Sequence, residues 1–188
     1  MAEWHDNVYL DRKFVKTGAF GGGNTTWTIS LVDNTIDTVV LGPGFGGNSG
    51  KIVAVTSVAG TVTATGADYS AGTVCIGRAY SMEIELSQQY RRDRNGNPVF
   101  DAELIYRRIA VNHHRTGYLK IESTMANRTT RKKVLDVDPI KERGVLGAWL
   151  KGRADLNVIK LINDKPKPST VTAVEIDADY APRDGYGR

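Results

Sequence analysis

The chain has 188 residues, of which 40% are hydrophobic and 24% are charged, and Cys75 is its single cysteine. This composition excludes a disordered chain and a disulfide framework, and no apolar run approaches the ~20 residues of a membrane span. The net charge of +4, from 25 basic and 21 acidic residues, is too small an excess to indicate a dedicated DNA-binding domain.

Apolar residues in the first half of the chain alternate with polar ones, which is typical of half-buried strands. The segment WTISLV (27–32) places every second residue, from Trp27 onward, on one face. The segment KIVAVTSVAGTVTATG (51–66) is rich in β-branched residues and is interrupted at Ala59-Gly60, which predicts a hairpin.

The second half of the chain continues the alternation in YSMEIELS (80–87) and then carries several turn signals. Asn95-Gly96 predicts a hairpin between the flanking segments 84–92 and 100–111. We expect a further turn at HHRTG (113–117), and a proline-containing loop between strands at 156–164 and 170–180. The segment IKERGVLGAWLKG (140–152) is the one place where a helical turn fits the spacing, although its glycines disfavour it.

These patterns predict an all-β fold, with short antiparallel strands in a sandwich or barrel-like arrangement. The composition changes near residue 78, from small residues, threonine and valine to arginine, lysine and tyrosine. We therefore expect two β modules, residues 1–78 and 79–188, with either separate cores or one shared core.

The segment VVLGPGFGGNSGKIVAV (39–55) contains Gly42, Gly44 and Gly47 in the Gly-x-Gly-x-x-Gly spacing of dinucleotide-binding loops. Such loops hold phosphate at the N-terminus of a following helix. Here KIVAVTSV follows, which has the pattern of a strand. A P-loop is excluded as well, because Ile52 stands where a serine or threonine would bind magnesium. We interpret the glycines as a wide turn between strands at 36–41 and 51–58, and expect no cofactor.

Three other patterns could carry chemistry, and each has a simpler explanation. Glu83 and Glu85 share a strand face and lie ~7 Å apart, which is a separation found between the carboxylates of inverting glycosidases. The simpler explanation is that they belong to the solvent-exposed face of an amphipathic strand. His113 and His114 are adjacent, so on a strand they point to opposite faces and do not form a metal site. The sequences DVD (136–138) and DAD (177–179) lack the spacing of a calcium loop. We expect neither catalysis nor a bound metal.

Basic residues cluster in the second half of the chain, with Tyr90, Tyr106 and Tyr118 among them. This combination suits either a stacking surface for single-stranded nucleic acid or an interface between subunits. Because Arg107 and Arg108 are adjacent on a strand, we expect one of them to point inward or toward a neighbour. The candidate interface or DNA-facing residues are Arg91, Arg92, Arg94, Arg107, Arg108, Arg128, Arg131, Lys132 and Lys133.

Three stretches together resemble the C-terminal region of tail tubular protein B, the tail nozzle protein of short-tailed bacteriophages. They are VYLDRKFVKTGAFGGGNTTWTISL (8–31), the segment 74–123 with its Ile-Gly-x-x-Tyr opening and its later Thr-Gly-Tyr, and NVIKLINDKPKPSTVTAVEIDADYAPR (157–183). Their order and spacing match the end of that family's sequences. Family members are usually several times longer, so the resemblance implies a reduced, split or partial nozzle component.

The resemblance implies a non-enzymatic structural protein of the virion tail, made in the host cytoplasm. Proteins of this family form rings, so we expect a homohexamer through which DNA is ejected, without membrane insertion by this chain. Its expected partners are other copies of itself, the tail adaptor or tube protein, other nozzle or fibre proteins, and DNA passing through the lumen. The alternative from the residues alone is a nucleic-acid-binding β-barrel.

Overall fold

The computed structural model describes residues 8–32, 34–90, 92, 94–97 and 102–182. In the described part of the chain, most residues lie in strands that pair in antiparallel sheets, and the helices are short 3-10 turns, so the predicted all-β class is confirmed. In the described residues, no helix has the length and apolar character needed to cross a bilayer.

The chain divides into two compact units. The first contains the described residues up to Ser81 together with Asp164–Pro168, and the second contains Met82–Asn163 and the described residues from Ser169 onward. The composition shift noted in the sequence lies near residue 78, close to the point where the first unit ends.

The first unit is built from eight short strands in two four-stranded sheets. The first sheet has the order β1-β8-β4-β5 and the second has the order β2-β3-β7-β6. The strands are β1 (Asp11–Thr17), β2 (Ala19–Gly21), β3 (Asn24–Thr28), β4 (Thr38–Leu41), β5 (Ile52–Ala54), β6 (Thr56–Val58), β7 (Thr61–Thr65) and β8 (Thr73–Arg78).

Apolar side chains from both sheets of the first unit meet in one core. The first sheet contributes Val39 and Ile76, and the second contributes Trp27 and Val62, all of them fully buried. This is the arrangement of a β-sandwich. It follows from the alternation in the sequence, which gives each short strand one apolar face.

Tight turns set the register of these short strands. Ala59 and Gly60 both have positive φ, and β6 pairs with β7 directly across them, so the predicted hairpin is confirmed. The glycine segment also connects two antiparallel neighbours, β4 and β5. It contains a short 3-10 turn at Pro43–Asn48, and a strand rather than an α-helix follows it, as the sequence indicated.

The second unit is one five-stranded sheet arranged around a very long central strand. Its strands are β9 (Met82–Glu85), β10 (Ala102–Met125), β11 (Arg131–Arg153), β12 (Asn157–Asn163) and β13 (Thr170–Pro182), with a short 3-10 turn at Ala154–Leu156. β11 pairs with β10 along most of its length. On the other side of β10, β13 pairs with the first half and β12 with the last residues, and β9 follows β12.

The local expectations in this unit had different outcomes. The expected turn at 113–117 is an irregularity inside β10, where Arg115 has a φ of 44° and the strand continues on both sides. The segment 140–152 is strand throughout, in agreement with the all-β prediction, and the helical turn that its glycines disfavoured does not form. The described residues around Asn95-Gly96 form a turn, while residues 98–101, on one side of the expected hairpin, lie outside the described part of the chain. Of the flanking segments that are described, β9 pairs with β12 and not with β10.

β10 is therefore longer than the sequence indicated. The strand continues through the irregularity at Arg115, where we expected the chain to reverse. The bend lets both halves of β10 contribute to one core. Ile109 and Val111 from the first half pack in the same cluster as Leu119 and Ile121 from the second half.

Candidate assembly surface

The first half of β10, with β11 on one side and β13 on the other, presents a broad face to solvent. Residues that pair across the three strands share this face. One row contains Trp149, Arg108 and Asp177, and the next contains Gly147, Ala110 and Glu175. The opposite face of the same strands carries the core residues, so the outward face is left for solvent or for a partner.

Two large apolar side chains of β11 are exposed on this outward face. Trp149 is 74% exposed and Val145 is 55% exposed, while Leu146 and Leu150 between and beyond them are buried. An exposed tryptophan on the outer side of a strand is unusual for a surface that contacts only solvent. This surface is therefore the strongest candidate for contact with another macromolecule.

Both predicted mid-strand arginines lie on the outside of the sheet. A register shift between Tyr106 and Arg108 places Arg107 and Arg108 together on the exposed side. We expected one of them to point inward or toward a neighbour. Neither points inward, because a bulge interrupts the alternation of a regular strand, and contact with a neighbouring copy stays a prediction. Arg107 forms an ion pair with Asp179 of β13.

Arg108 projects across β11. A β-carbon built on Gly147 would lie 3.2 Å from a guanidinium nitrogen of Arg108, so the guanidinium covers the position of the absent side chain. A cation therefore lies in the same row as Trp149, next to the exposed apolar strip of β11 that Val145 and Trp149 form.

The predicted basic group at the start of β11 lies near the same strip. Arg131, Lys132 and Lys133 line a groove of about 340 Å³ together with Trp149. Lys132 is partly neutralised, since its Nζ lies 3.2 Å from Glu122 Oε1, and Lys120 Nζ lies at the same distance. Desolvation opposes ionisation of this carboxyl, but the hydrogen bonds from Lys132 and Lys120 prevail and lower the pKa of Glu122.

The other predicted basic residues are not part of this surface as described. Arg92 donates to the Gly96 carbonyl over 2.9 Å, and Arg94 is exposed in the same turn. Arg128 lies in the turn between β10 and β11, where its backbone amide donates to Met125. Arg91 lies outside the described residues. The structure therefore brings together only some of the nine candidates.

The tyrosines do not form a stacking surface. Tyr106 is 3% exposed and Tyr118 is 5% exposed, whereas Tyr90 is exposed. Burial, which is the largest cause, raises the pKa of Tyr106. A base can stack only on an accessible ring, so the predicted platform for single strands is wrong for two of its three members.

The candidates for chemistry have structural surroundings. Lys160 lies between Glu83 and Glu85, with Nζ 2.6 Å from Glu83 Oε1 and 3.5 Å from Glu85 Oε2. The hydrogen bond to Glu83 is the main cause that raises the pKa of Lys160. Both carboxylates thus belong to an ion-paired strand surface, which matches the simpler of the two explanations given above.

The histidines separate as predicted. His113 is buried, while His114 is half exposed with Nε2 3.8 Å from Glu142 Oε2. Burial, assisted by Lys141, lowers the pKa of His113. Among the described residues, no group of three or more histidine, cysteine or acidic side chains is placed to hold a metal ion. Cys75 is fully buried, and desolvation raises its pKa to about 11, so its thiol is unreactive.

The chain matches the model of a known protein family over most of its length. A family model described as bacteriophage nozzle protein matches residues 5–185. The chain belongs to the bacteriophage nozzle protein family. The resemblance stated from the sequence is thereby confirmed, and membership supports a structural role in a phage tail. A search of curated proteins found no match.

Trp149 was not among the candidate residues identified from the sequence. The signal was present, because Leu146, Ala148 and Leu150 alternate with Val145 and Trp149. A strand interpretation of this segment would have placed Trp149 on the solvent side. A helical turn, which the glycines disfavour, was considered for this segment instead, and so the alternation was not used.

Proposed function

We propose that this chain is a nozzle component at the distal end of a short phage tail, assembled as a ring of identical copies through which DNA is ejected. Six copies per ring is the symmetry we propose. The observation that carries the proposal is the family match over residues 5–185. The exposed apolar strip around Trp149 supports it, because such a strip is typical of the centre of an interface.

The proposed role is non-enzymatic and requires no cofactor. The proposed partners are neighbouring copies, the tail adaptor or tube protein, and other nozzle or fibre proteins. The protein is made in the host cytoplasm and resides in the tail of the virion. The surroundings of Glu83 and Glu85 fit this role, since Lys160 holds both carboxylates in an ion-paired surface.

Ring formation is the direct test of the proposal. The purified full chain should give closed rings in negative-stain images, and light scattering should give a mass close to six protomers. Antibody labelling should place the protein at the tail tip of purified virions. A chain that stays monomeric at high concentration and is missing from virions contradicts the proposal.

A lumen that passes DNA should bind it weakly, because many phosphate contacts would slow its passage. The mixed charge of the chain, +4 overall, is consistent with weak binding. A filter-binding titration with duplex and single-stranded DNA across salt concentrations measures this. Tight binding with a steep salt dependence would favour the alternative, a nucleic-acid-binding β-barrel protein.

A further inference from the structure

The sheet of the second unit ends in two strands that have no described strand on their outer side. β11 and β13 both pair with the first half of β10, and neither pairs with any other strand in the described part of the chain. A strand edge of this length is normally covered, interrupted or paired, because its outward amides and carbonyls seek partners. Both edges border the outward face that contains Trp149.

The two edge strands carry opposite charge. The part of β11 that lies level with β13, residues 143–153, has three basic residues, Arg143, Lys151 and Arg153, and no acidic residue, a net charge of +3. β13 has three acidic residues, Glu175, Asp177 and Asp179, and no lysine or arginine, a net charge of −3. An edge of one sign and an edge of the other sign attract each other, while two copies of the same edge repel.

We propose that β11 of one copy pairs edge to edge with β13 of the next copy, so that the sheets of neighbouring copies join around the ring. This inference rests on the proposed ring function and names the surface that builds it. The contact uses two different patches, which is the head-to-tail type of interface that closes into a ring.

The direction of the strands agrees with this arrangement. β11 and β13 are both antiparallel to β10, so they run parallel to each other. Rotation about an axis along the strands keeps this direction, and brings β13 of one copy beside β11 of the next as a parallel pair. Such a rotation also keeps each residue at its own height along the axis.

Equal heights bring specific side chains together. Asp177 and Trp149 both lie level with Arg108, and Glu175 and Gly147 both lie level with Ala110. On β11, Lys151 lies in the register shift between Trp149 and Gly152 and is exposed, as is Asp177. The contact therefore places Trp149 at its centre, with Lys151 of one copy near Asp177 of the next.

These charges are available for a partner. In the described structure, Lys151 and Asp177 form no ion pair, whereas Asp179 of the same strand is paired with Arg107. An exposed unpaired cation on one edge and an exposed unpaired anion on the other are what a charge-matched junction requires.

Charge exchange between the two edges tests this inference. Lys151→Glu and Asp177→Lys are each expected to raise the concentration needed for half-assembly by about tenfold, because each puts like charges across every junction. An equimolar mixture of the two variants should assemble again, since copies that alternate around the ring have opposite charges at every junction. Lys51→Glu, an exposed charge reversal in the first unit, is the matched control and should assemble as the unaltered chain does.

The outcomes separate this inference from the proposed function. Light scattering gives assembly, and circular dichroism verifies that each variant is folded. If the unaltered chain forms rings and both single variants assemble equally well, the edge pairing is wrong and the ring function stands. If both variants are folded monomers and their mixture stays monomeric, charge matching between the edges is also wrong. If the unaltered chain forms no ring, the proposed function fails and this inference fails with it.

Discussion

The two units of this chain bury their sheets in different ways. The first uses eight strands of three to seven residues, and two sheets cover each other. The second uses one sheet in which β10 and β11 are 24 and 23 residues long, and bends in β10 close the core. Two facing sheets cover each other's apolar faces, whereas a single sheet must bend to cover its own, and the outward face of this sheet carries the exposed Trp149.

The tryptophans show this difference most directly. Trp27 of the first unit is 1% exposed and lies in the core between the two sheets. Trp149 of the second unit is 74% exposed on the outward face. The same residue type therefore stabilises a fold in one unit and, in our proposal, an assembly in the other.

The largest expected difference in stability comes from replacing each of these two tryptophans with alanine. Trp27→Ala should lower the free energy of unfolding by about 3–5 kcal/mol, because it removes a buried ring and leaves a cavity. Trp149→Ala should change it by less than about 0.5 kcal/mol, since the side chain is solvated in the single copy. Urea denaturation followed by circular dichroism measures both.

Assembly should respond in the opposite order. Trp149→Ala is expected to weaken ring formation while the protomer stays folded. If Trp149→Ala instead unfolded the protomer as severely as Trp27→Ala does, the contrast between a buried and an interfacial tryptophan would be wrong.

The second contrast is between two glycines, Gly77 in the first unit and Gly147 in the second, each of which has another group close to the position of a β-carbon. A β-carbon on Gly77 would lie 2.7 Å from the backbone oxygen of Asp11, so β1 and β8 would have to separate. Gly77→Ala should therefore cost about 1–3 kcal/mol of unfolding free energy. Gly147→Ala is the matched change in the second unit.

At Gly147 the nearest group is the end of the Arg108 side chain, at 3.2 Å, and a long side chain can move aside. We expect Gly147→Ala to cost less than about 0.5 kcal/mol. Thermal unfolding of the two variants compares them. Equal losses would mean that the Arg108 guanidinium is held as firmly as a backbone strand.

The same contrast explains how far the sequence could be interpreted. In the first unit, β-branched alternation and the Ala59-Gly60 turn lie close together along the chain, so local patterns predicted the strands and the hairpin correctly. In the second unit, the position of the bulge at Arg107 depends on partners in β11 and β13 that are distant in sequence. Residue types at a bulge do not differ from those of a regular strand, and so its effect on Arg107 and Arg108 was not predictable.

The candidate surface was predictable only in part. Charge clusters identified Arg108 and the group at 131–133, because charge is visible in sequence. The partner of each charge is not visible, and Lys132 proved to be paired with Glu122. The family resemblance, which uses many positions at once, predicted the biological context better than any single motif did.

Glu122 of the second unit is an ion-paired carboxylate, with Lys120 and Lys132 as its partners. Glu122→Gln should lower the free energy of unfolding by about 1 kcal/mol at pH 7. The neutral amide still accepts hydrogen bonds from Lys120 and Lys132, but its attraction to their positive charges is lost. The pKa of Glu122 is lowered in the folded chain. Its contribution is therefore complete above the unfolded-state pKa of about 4.3, and disappears as the pH falls through the lower folded-state value.

Denaturation curves from pH 7 down to pH 3 test this sign. The difference between Glu122→Gln and the unaltered chain should be constant near neutral pH and should shrink below about pH 4. A difference that grew on acidification would show that Glu122 is stabilised in its protonated form. Lys51→Glu, which alters an exposed charge in the first unit, should show no such trend.

The smallest expected effect compares one turn residue in each unit. Ala59 has a φ of 49° in the hairpin of the first unit, and Asn127 has a φ of 60° in the turn between β10 and β11. Asparagine tolerates this left-handed conformation better than alanine does. Ala59→Asn should therefore stabilise the chain by about 0.5 kcal/mol, and Asn127→Ala should destabilise it by a similar amount.

The backbone amide of Ala59, which donates to Asn34 Oδ1, is kept in the variant. Melting temperatures of the two variants should shift in opposite directions, and shifts in the same direction would mean that contacts of these side chains outweigh the backbone preference.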